Sequence, residues 1–358
     1  MKWENNVLGF VPKTDWLSVP FNPTRPNDPV DTLIGDLKTP NLIAEWQSIA
    51  DLYQLPSMAV FHSFDTEAQK AVRVPIDTHN VEKGLIKEKI NQSERMRTLL
   101  RAGVQGDEQL YDYVMRDGFN LAENVLTRTK VAKNELLATG KITINENGLS
   151  LEVDYGVPDA QTALTLDLSA DADVAEQIQA IVDAAHDAGV TLTGMYTSSG
   201  VITRMRKNAA LQKAINGNVG AGALVRRGAL NEFLGEEFGL TTVLANDLTY
   251  AFDRKLNSSG TVTQSTRRFY PKDKVTFFAS VNGGQLGVGL WGDAPEADVA
   301  SLMQVEGSAA SPFITISQWT ENDPAVLWTK ASALFMPALY SPNSLWIATA
   351  SATDEADG

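Results

Sequence analysis

Cysteine is absent from the 358 residues of this chain, and histidine occurs only three times. The absence of cysteine excludes disulfides, thiolate metal sites and cysteine nucleophiles. The histidines, His62, His79 and His186, lie far apart in the sequence, and no two have the spacing of zinc ligands. We therefore predict neither a metal site nor a cofactor.

Basic residues are also in the minority. The chain has 30 lysine and arginine residues against 44 aspartate and glutamate residues, so its formal net charge is −14. A dedicated nucleic-acid-binding protein needs a basic surface to meet the phosphates, so this class is disfavoured. We expect the purified protein to bind duplex DNA only weakly at physiological salt.

Long hydrophobic runs are missing as well. No stretch approaches the roughly 18 consecutive apolar residues of a membrane helix, and the N-terminus, Met1–Asn6, lacks the apolar core of a signal peptide. The composition, 43% hydrophobic and 21% charged, suits a folded protein with a large core. The expectation is a protein made in the cytoplasm, without a membrane partner.

Prolines and aromatic residues are concentrated near the N-terminus. The prolines between positions 12 and 29 exclude a helix there and favour extended chain. Trp16 and Phe21 lie among them, although a disordered tail is usually poor in aromatic residues. Residues 1–55 are therefore predicted to form an extended arm, which either folds onto its own domain or buries these aromatics on a neighbouring subunit. A short helix is predicted over 41–53.

Residues 56–92 have the pattern of a long β-excursion. Apolar residues at 72, 74 and 76 alternate with Arg73 and a proline, which is the period of a strand. Charges of both signs are dense along the segment and include Lys83 and Lys87. A two-stranded ribbon is marginally stable alone in water, so this one needs a surface on which to lie.

The clearest single element is a long helix predicted over 107–139. Apolar residues recur in it at helical spacing, acidic residues are concentrated near its start and basic residues near its end. Gly140 is a natural stop, and Gly118 is the predicted site of a bend. A hairpin follows over 142–153, because Asn147-Gly148 between two alternating segments favours a type I′ turn.

The rest of the chain mixes helices and strands, so the predicted class is α+β. An apolar tail over 334–348 is predicted to be broken by Pro337 and Pro342. The other predicted helices cover 174–188, 200–215 and 229–238, and the other predicted strands lie at 190–196, 241–244, near 250 and at 275–281.

Motifs that might carry chemistry have simpler explanations. The glycine-rich segment 217–222 matches neither a P-loop nor a dinucleotide loop, so a mobile loop is favoured over a phosphate site. Ser198 and Ser199 precede a predicted helix, where they either cap it or bind an anion, and capping is favoured. Glu236 and Glu237 are adjacent on a helix and so do not face one another as catalytic carboxylates would. No enzymatic activity is predicted.

Two adjacent arginine pairs stand out in this acidic chain, Arg226-Arg227 and Arg267-Arg268. Either DNA phosphates or acidic neighbouring subunits would suit them. The net charge of the chain favours pairing between subunits.

The order of these elements resembles the Hong Kong 97-type capsid fold of tailed-phage major capsid proteins. Within that fold, the chain is similar to the lambda-type major capsid protein E family over roughly residues 45–350. The stretches that carry the resemblance are the end of the long helix with the hairpin, a proline-centred turn before a strand, and a glycine/aromatic segment, at Asn134–Thr143, Leu151–Gly156, Phe269–Val275 and Gly287–Gly292.

The resemblance implies a division of the chain into named parts. These are an N-terminal arm (1–55), an extended β-hairpin loop (56–92), a peripheral domain with a spine helix (93–189), an axial domain (190–322), and closing strands of the peripheral domain with a C-terminal tail (323–358).

The resemblance also implies a function. Copies of the chain would form hexamers and pentamers of an icosahedral shell that encloses double-stranded DNA without sequence-specific binding. The expected location is the capsid of the virion, after synthesis in the host bacterial cytoplasm. Further partners would be a separate scaffolding protein, a portal and in some phages a decoration protein. The expected assembly contacts are Trp16, Phe21, Arg73, Lys83, Lys87, Arg226 and Arg227, and Gly118 is the expected spine bend.

Two other functions remain open at this point. One is an encapsulin-like nanocompartment shell of the same fold. The other is a soluble enzyme with an α/β site around residues 196–222.

Overall fold

A computed structural model describes most of the chain, namely residues 28–48, 77–95, 98, 106–170, 172–217, 222–256, 261–280, 284–298, 302–305, 314–323 and 325–351. Helices and strands alternate irregularly within these ranges, which confirms the α+β class. The α-helices are α1 (Val30–Leu33), α2 (Gly106–Thr139), α3 (Asp159–Thr162), α4 (Val174–Asp187), α5 (Ser199–Lys207), α6 (Ala209–Asn216) and α7 (Arg227–Phe238).

Within the described ranges the strands form two large sheets and three two-stranded ribbons. In chain order they are β1 (Ile34–Lys38), β2 (Ile43–Ser48), β3 (Asp77–Glu82), β4 (Gly84–Gln92), β5 (Lys141–Glu146), β6 (Leu149–Asp154), β7 (Leu164–Asp167), β8 (Gly194–Thr197), β9 (Thr242–Ala245), β10 (Thr249–Leu256), β11 (Val262–Arg268), β12 (Lys274–Phe278), β13 (Gly287–Gly292), β14 (Leu302–Val305), β15 (Ile314–Asn322), β16 (Ala325–Leu339) and β17 (Leu345–Ser351).

The long helix α2 confirms the prediction over 107–139. Its buried residues include Leu121, Val125, Ala132 and Leu136, which recur at helical spacing and form one apolar stripe against the first core. At its end, where the last carbonyls lack a partner within the helix, the Thr276 hydroxyl donates to the Leu137 carbonyl at 2.6 Å. The end of the helix is thus tied to β12.

The hairpin β5–β6 confirms the second local prediction. Lys141 pairs with Asp154 at one end and Glu146 with Leu149 at the other, so the turn contains two residues. Asn147 has φ 50° and Gly148 has φ 81°. Positive φ at both turn residues matches the twist of the flanking strands, so this dipeptide sets the register without help from the rest of the fold.

The predicted helix over 200–215 is two helices that meet at Asn208. The side-chain oxygen of Asn208 accepts from the Leu211 amide at 3.1 Å and caps the second helix. Its amide group donates to the carbonyls of Ser169 and Ala172. Asparagine competes well for capping positions, and these tertiary acceptors fix it there. Ser198 caps the first helix by accepting from the Val201 amide, which confirms the capping interpretation.

Two predictions about the first 92 residues are corrected. The described part of the predicted helix over 41–53 is a strand, because Ile43–Ser48 pair antiparallel with Asp77–Glu82 as the ribbon β2–β3. The second half of the predicted loop also divides, since β4 leaves the ribbon and pairs with β16 in a large sheet. Pairing between distant segments overrides the weak local preference here.

Two hydrophobic cores share the sheet β7-β17-β12-β8-β9. Tyr196, Phe278 and Leu345 extend from one face of this sheet into the core around α2, β13 and β16. Met195 and Phe277 extend from the other face into the core that holds α4, α5, α6 and α7. Because neighbouring residues of a strand point to opposite faces, the same strands bind both cores together.

Each of the two cores draws on several of the parts into which the sequence was divided. Strand β7 and helix α4, expected in the peripheral part, belong to the second core together with the C-terminal strand β17. Strands β13, β14 and β15, expected in the axial part, join β16 and β1 in the sheet beside α2. The chain therefore crosses between the cores several times.

Candidate assembly surfaces

The base of the β2–β3 ribbon is fixed by Lys83, the residue between β3 and β4. Its backbone amide donates to the Leu42 carbonyl at 3.0 Å. Its Nζ donates to the Thr39 carbonyl at 2.8 Å, the Asn41 carbonyl at 2.6 Å and the Trp291 carbonyl at 3.1 Å. One side chain thus holds both ends of the ribbon base against β13.

Lys83 was expected to be an assembly contact, and the structure gives it a role within its own chain. It is only 2% exposed, and burial lowers the pKa of its ammonium below the ordinary value. A buried ammonium must satisfy its donors, and the backbone carbonyls of Thr39, Asn41 and Trp291 do so. The density of charge in the sequence did not distinguish this buried lysine from its exposed neighbours.

Lys87 lies on β4 in a small ionic network. Its Nζ is 3.0 Å from one carboxylate oxygen of Glu296, and the same oxygen accepts from Lys330 at 2.7 Å. The other carboxylate oxygen accepts from the Ser332 hydroxyl at 3.0 Å. Burial opposes ionisation of Glu296, but these donors outweigh it and lower its pKa to about 2. The carboxylate therefore ties β4 to β16 through their side chains as well as their backbones.

Large apolar side chains are exposed around the base of the ribbon. Leu42 and Ile43 are 51% and 53% exposed, and Leu37 and Leu85 belong to the adjacent strands β1 and β4 and are also exposed. Single exposed leucines are common on proteins. Four of them, in or directly beside the strands that lead into and out of the ribbon, are suited to contact with another protein.

The start of the described chain is anchored by a buried polar cluster of Asp28, Asn134, Tyr196 and Asn246. Asp28 accepts from the amides of Asn134 at 3.1 Å and Asn246 at 2.9 Å. The Tyr196 hydroxyl lies 2.8 Å from both the Asn134 oxygen and the Asn246 amide. Burial raises the pKa of Asp28. The amide donors around its carboxyl group satisfy its oxygens and so offset the cost of burying the group.

A second buried contact continues the anchor along α1 and β1. Lys133 of α2 contacts carboxylate oxygens of Asp31 at 3.0 Å and Asp36 at 2.9 Å and donates to the Ile34 carbonyl. Asp36 also accepts from the Trp291 indole at 2.8 Å. Burial raises the pKa of Asp36, and Lys133 opposes that shift. Residues 28–38 are therefore bound to the long helix before the chain enters the ribbon.

A family model described as phage major capsid protein E matches residues 54–350. The match covers most of the chain, including the long helix, the hairpin and most of both cores. This chain belongs to that family. It is therefore a component of the capsid of a virion, as the sequence predicted.

Solved structures similar to this capsid protein share little of its sequence. They include a putative capsid protein of a prophage from E. coli CFT073 (15% identity, 77% of this chain and 80% of that one, TM-score 0.47) and the capsid of cyanophage A-1(L) (12%, 89% and 91%, 0.49). A virus-like particle from Pyrococcus furiosus is also similar (10%, 94% and 95%, 0.42). A comparison with curated proteins found no match to this chain.

The other residues expected to contact neighbouring subunits of the capsid protein lie in different parts of the chain. Trp16, Phe21 and Arg73 lie outside the described residues. Arg226 and Arg227 are exposed at the start of α7. Gly118 is a buried position within α2. Apart from the adjacent Arg226 and Arg227, no contact joins the described ones, so their roles in assembly stay predictions.

In the described ranges of the capsid protein, no helix is both long and apolar enough to cross a membrane. The same residues include no group of three or more His, Asp or Glu side chains arranged to hold a metal ion.

Proposed function

We propose that copies of this chain assemble as hexamers and pentamers of an icosahedral shell around double-stranded DNA. The observation that carries the proposal is the apolar surface of Leu37, Leu42, Ile43 and Leu85 at the base of the ribbon. Burying such side chains between subunits contributes favourable free energy at each contact, and the shell repeats that contact many times. Assembly is then the work of the chain, and no enzymatic activity is needed.

The β2–β3 ribbon is the element best placed to reach a neighbour. Within the described residues its strands pair only with each other, while Lys83 fixes the base against β13. A firm base presents the ribbon in one orientation, which lowers the entropy lost when it binds. Lys87, Arg73 and the arginine pair Arg226-Arg227 remain proposed contacts between subunits.

The N-terminal arm has a corresponding role. The polar cluster at Asp28 and the contacts of Lys133 fix the position of residues 28–36, which directly follow the rest of the predicted arm. We propose that the arm binds a further neighbour and buries Trp16 and Phe21 there. We also assign the core around α2 to the peripheral part of the subunit and the core around α4 and α7 to the axial part.

Maturation of such a shell would be a rearrangement between two packings of the same subunits. Gly118 is the proposed bend of the long helix, because glycine weakens a helix interior by about 1 kcal/mol relative to alanine. The proposal requires a difference in helix curvature between immature and mature shells of this protein, and equal curvature in both would contradict it. A scaffolding protein, a portal and a decoration protein are the further partners proposed.

Electron microscopy of the expressed chain, alone and with the scaffolding protein of the same phage, tests the proposed shell. We expect closed particles from the wild type and unassembled, folded subunits from Leu42→Asp/Ile43→Asp, because a charge cannot be buried cheaply in that contact. Ala209→Asp, which adds an acidic residue at the exposed start of α6, is the control and should assemble. A wild type that stays monomeric under all these conditions contradicts the shell.

A further inference from the structure

The ribbon β10–β11 is the element least explained by the fold of a single subunit. Its strands pair with each other and with no other described strand. All seven residues of β11 are exposed. Because successive residues of a strand point to opposite faces, exposure along the whole strand means that neither face of β11 is covered. The ribbon therefore stands clear of both cores.

One face of this ribbon combines aromatic and arginine side chains. The guanidinium of Arg267 lies 3.7 Å from the centre of the Phe252 ring, and Tyr250 contacts Phe269 with ring centres 5.0 Å apart. Tyr250 pairs with Arg267 and Phe252 with Ser265, which places these side chains on one face. Stacked arginine and aromatic residues are typical of the residues that dominate binding at protein interfaces.

The charge of the ribbon is opposite to that of the chain. Residues 249–268 contain four arginine and lysine residues and one aspartate, a net charge of +3 in a chain of −14. Opposite charge steers association and fixes its orientation. A second copy of the same acidic chain is therefore a complementary partner for the ribbon.

The second core offers the acidic counterpart. Helix α4 contains no lysine or arginine, and the acidic residues of α4 and α7 are exposed. Both helices pack into the same core. The exposed acidic residues are Glu176, Asp183, Asp187, Glu232, Glu236 and Glu237.

We propose that the β10–β11 ribbon of one subunit docks on the acidic outer face of α4 and α7 of a neighbouring copy. The proposal rests on the shell function proposed above and names one specific contact within it. Arg267 and Phe252 would meet the carboxylates of Glu236 and Glu237. Strand β10, with eight residues, extends about 26 Å at ~3.3 Å per residue, which is enough to reach an adjacent subunit.

Charge exchange tests this contact. Arg267→Glu and Glu236→Lys/Glu237→Lys should each raise the subunit concentration needed for shell assembly about tenfold, the effect of roughly 1.4 kcal/mol per subunit. A chain that carries all three substitutions should return to within about threefold of the wild type, because the charges are opposite again. Lys213→Glu makes the same change of charge as Arg267→Glu at an exposed residue of α6 and is the matched control.

Separate measurements keep the test decisive. Circular dichroism and thermal unfolding of the unassembled subunits confirm that each variant is folded, and Phe252→Ala tests the same face without a change of charge. The inference is wrong if the ribbon variants assemble at the wild-type concentration, or if the exchanged chain is no better than the single variants. Weaker binding of duplex DNA by Arg267→Glu, with unchanged assembly, would assign the ribbon to DNA and also overturn the inference.

The result for the wild type separates the two proposals. A wild type that forms no shell with its scaffolding protein contradicts the proposed function and this inference together. Ribbon variants that assemble normally contradict the inference alone.

Discussion

The hydroxyl of Tyr155 donates a 2.6 Å hydrogen bond to the carbonyl oxygen of Pro337. Pro337 lies inside β16 and pairs with Gly289 of β13, although a proline inside a sheet removes a backbone donor. Strand β4 accompanies β16 only as far as Phe335. Beyond that point the side chain of Tyr155 supplies a donor for the Pro337 carbonyl.

Removing that hydroxyl tests its importance. Tyr155→Phe leaves a buried carbonyl without its donor and should lower the free energy of unfolding by about 1–3 kcal/mol. Denaturant unfolding of unassembled subunits measures the change. The control is Tyr250→Phe, because Tyr250 is only half-buried and water can replace the interactions of its hydroxyl group. Equal stability of the two variants would contradict a structural role for the bond.

Replacing Lys83 should loosen the ribbon base. Lys83→Met keeps much of the side-chain volume but removes the donor from the carbonyls of Thr39, Asn41 and Trp291. We expect a loss of about 2–4 kcal/mol in the free energy of unfolding and faster hydrogen exchange of the β2 and β3 amides. Lys213→Met, at an exposed residue of α6, is the control and should leave both the stability and the exchange of the ribbon nearly unchanged. Unchanged exchange in the ribbon of Lys83→Met would disprove this role.

The carboxylate of Glu296 makes stability depend on pH in the acidic range. Its pKa is about 2 in the folded protein, below the value of roughly 4.3 for a free glutamate in an unfolded chain. The unfolded chain therefore binds the proton first as the pH falls. The stabilisation from Glu296 is complete above about pH 5 and is lost as the pH falls towards 2.

Glu296→Gln isolates this contribution. At pH 7 the variant should be about 1–2 kcal/mol less stable than the wild type, and the two should become equally stable as the pH approaches 2. Denaturant unfolding at several pH values provides the comparison. The exposed ion pair of Glu146 with Arg128 gives the control Glu146→Gln, which should change little at any pH. A difference that persists at pH 2 would refute the assignment.

The end of the long helix depends on a glycine. Gly140 has φ +72°, and a Cβ there would lie 2.9 Å from a methyl group of Val157. Gly148 in the hairpin turn also has a positive φ, +81°, but a Cβ there would meet no atom within 4 Å. Gly140→Ala should therefore cost more than Gly148→Ala, by about 1 kcal/mol or more. Thermal unfolding of both variants gives the comparison, and a larger effect at Gly148 would contradict the steric argument.

Several elements were predictable from the sequence because short-range interactions determine them. The period of the apolar residues defined the helix up to Gly140, and Asn147-Gly148 defined the hairpin that follows it. Ser198 was identifiable as a cap, since its partner is three residues away. The resemblance of these ordered elements to a capsid family was also visible in the sequence, and the family match confirms it.

Other features depend on partners that are distant in the sequence. Strand β2 takes its conformation from β3, the buried Lys83 is defined by the Trp291 carbonyl, and the Pro337 carbonyl finds a donor in Tyr155. The local elements, the acidic balance and the family can be read from the order of the residues alone. Which charges are buried, how the two cores share one sheet and which ribbons stand free depend on the folded chain, because burial and pairing arise when distant segments meet.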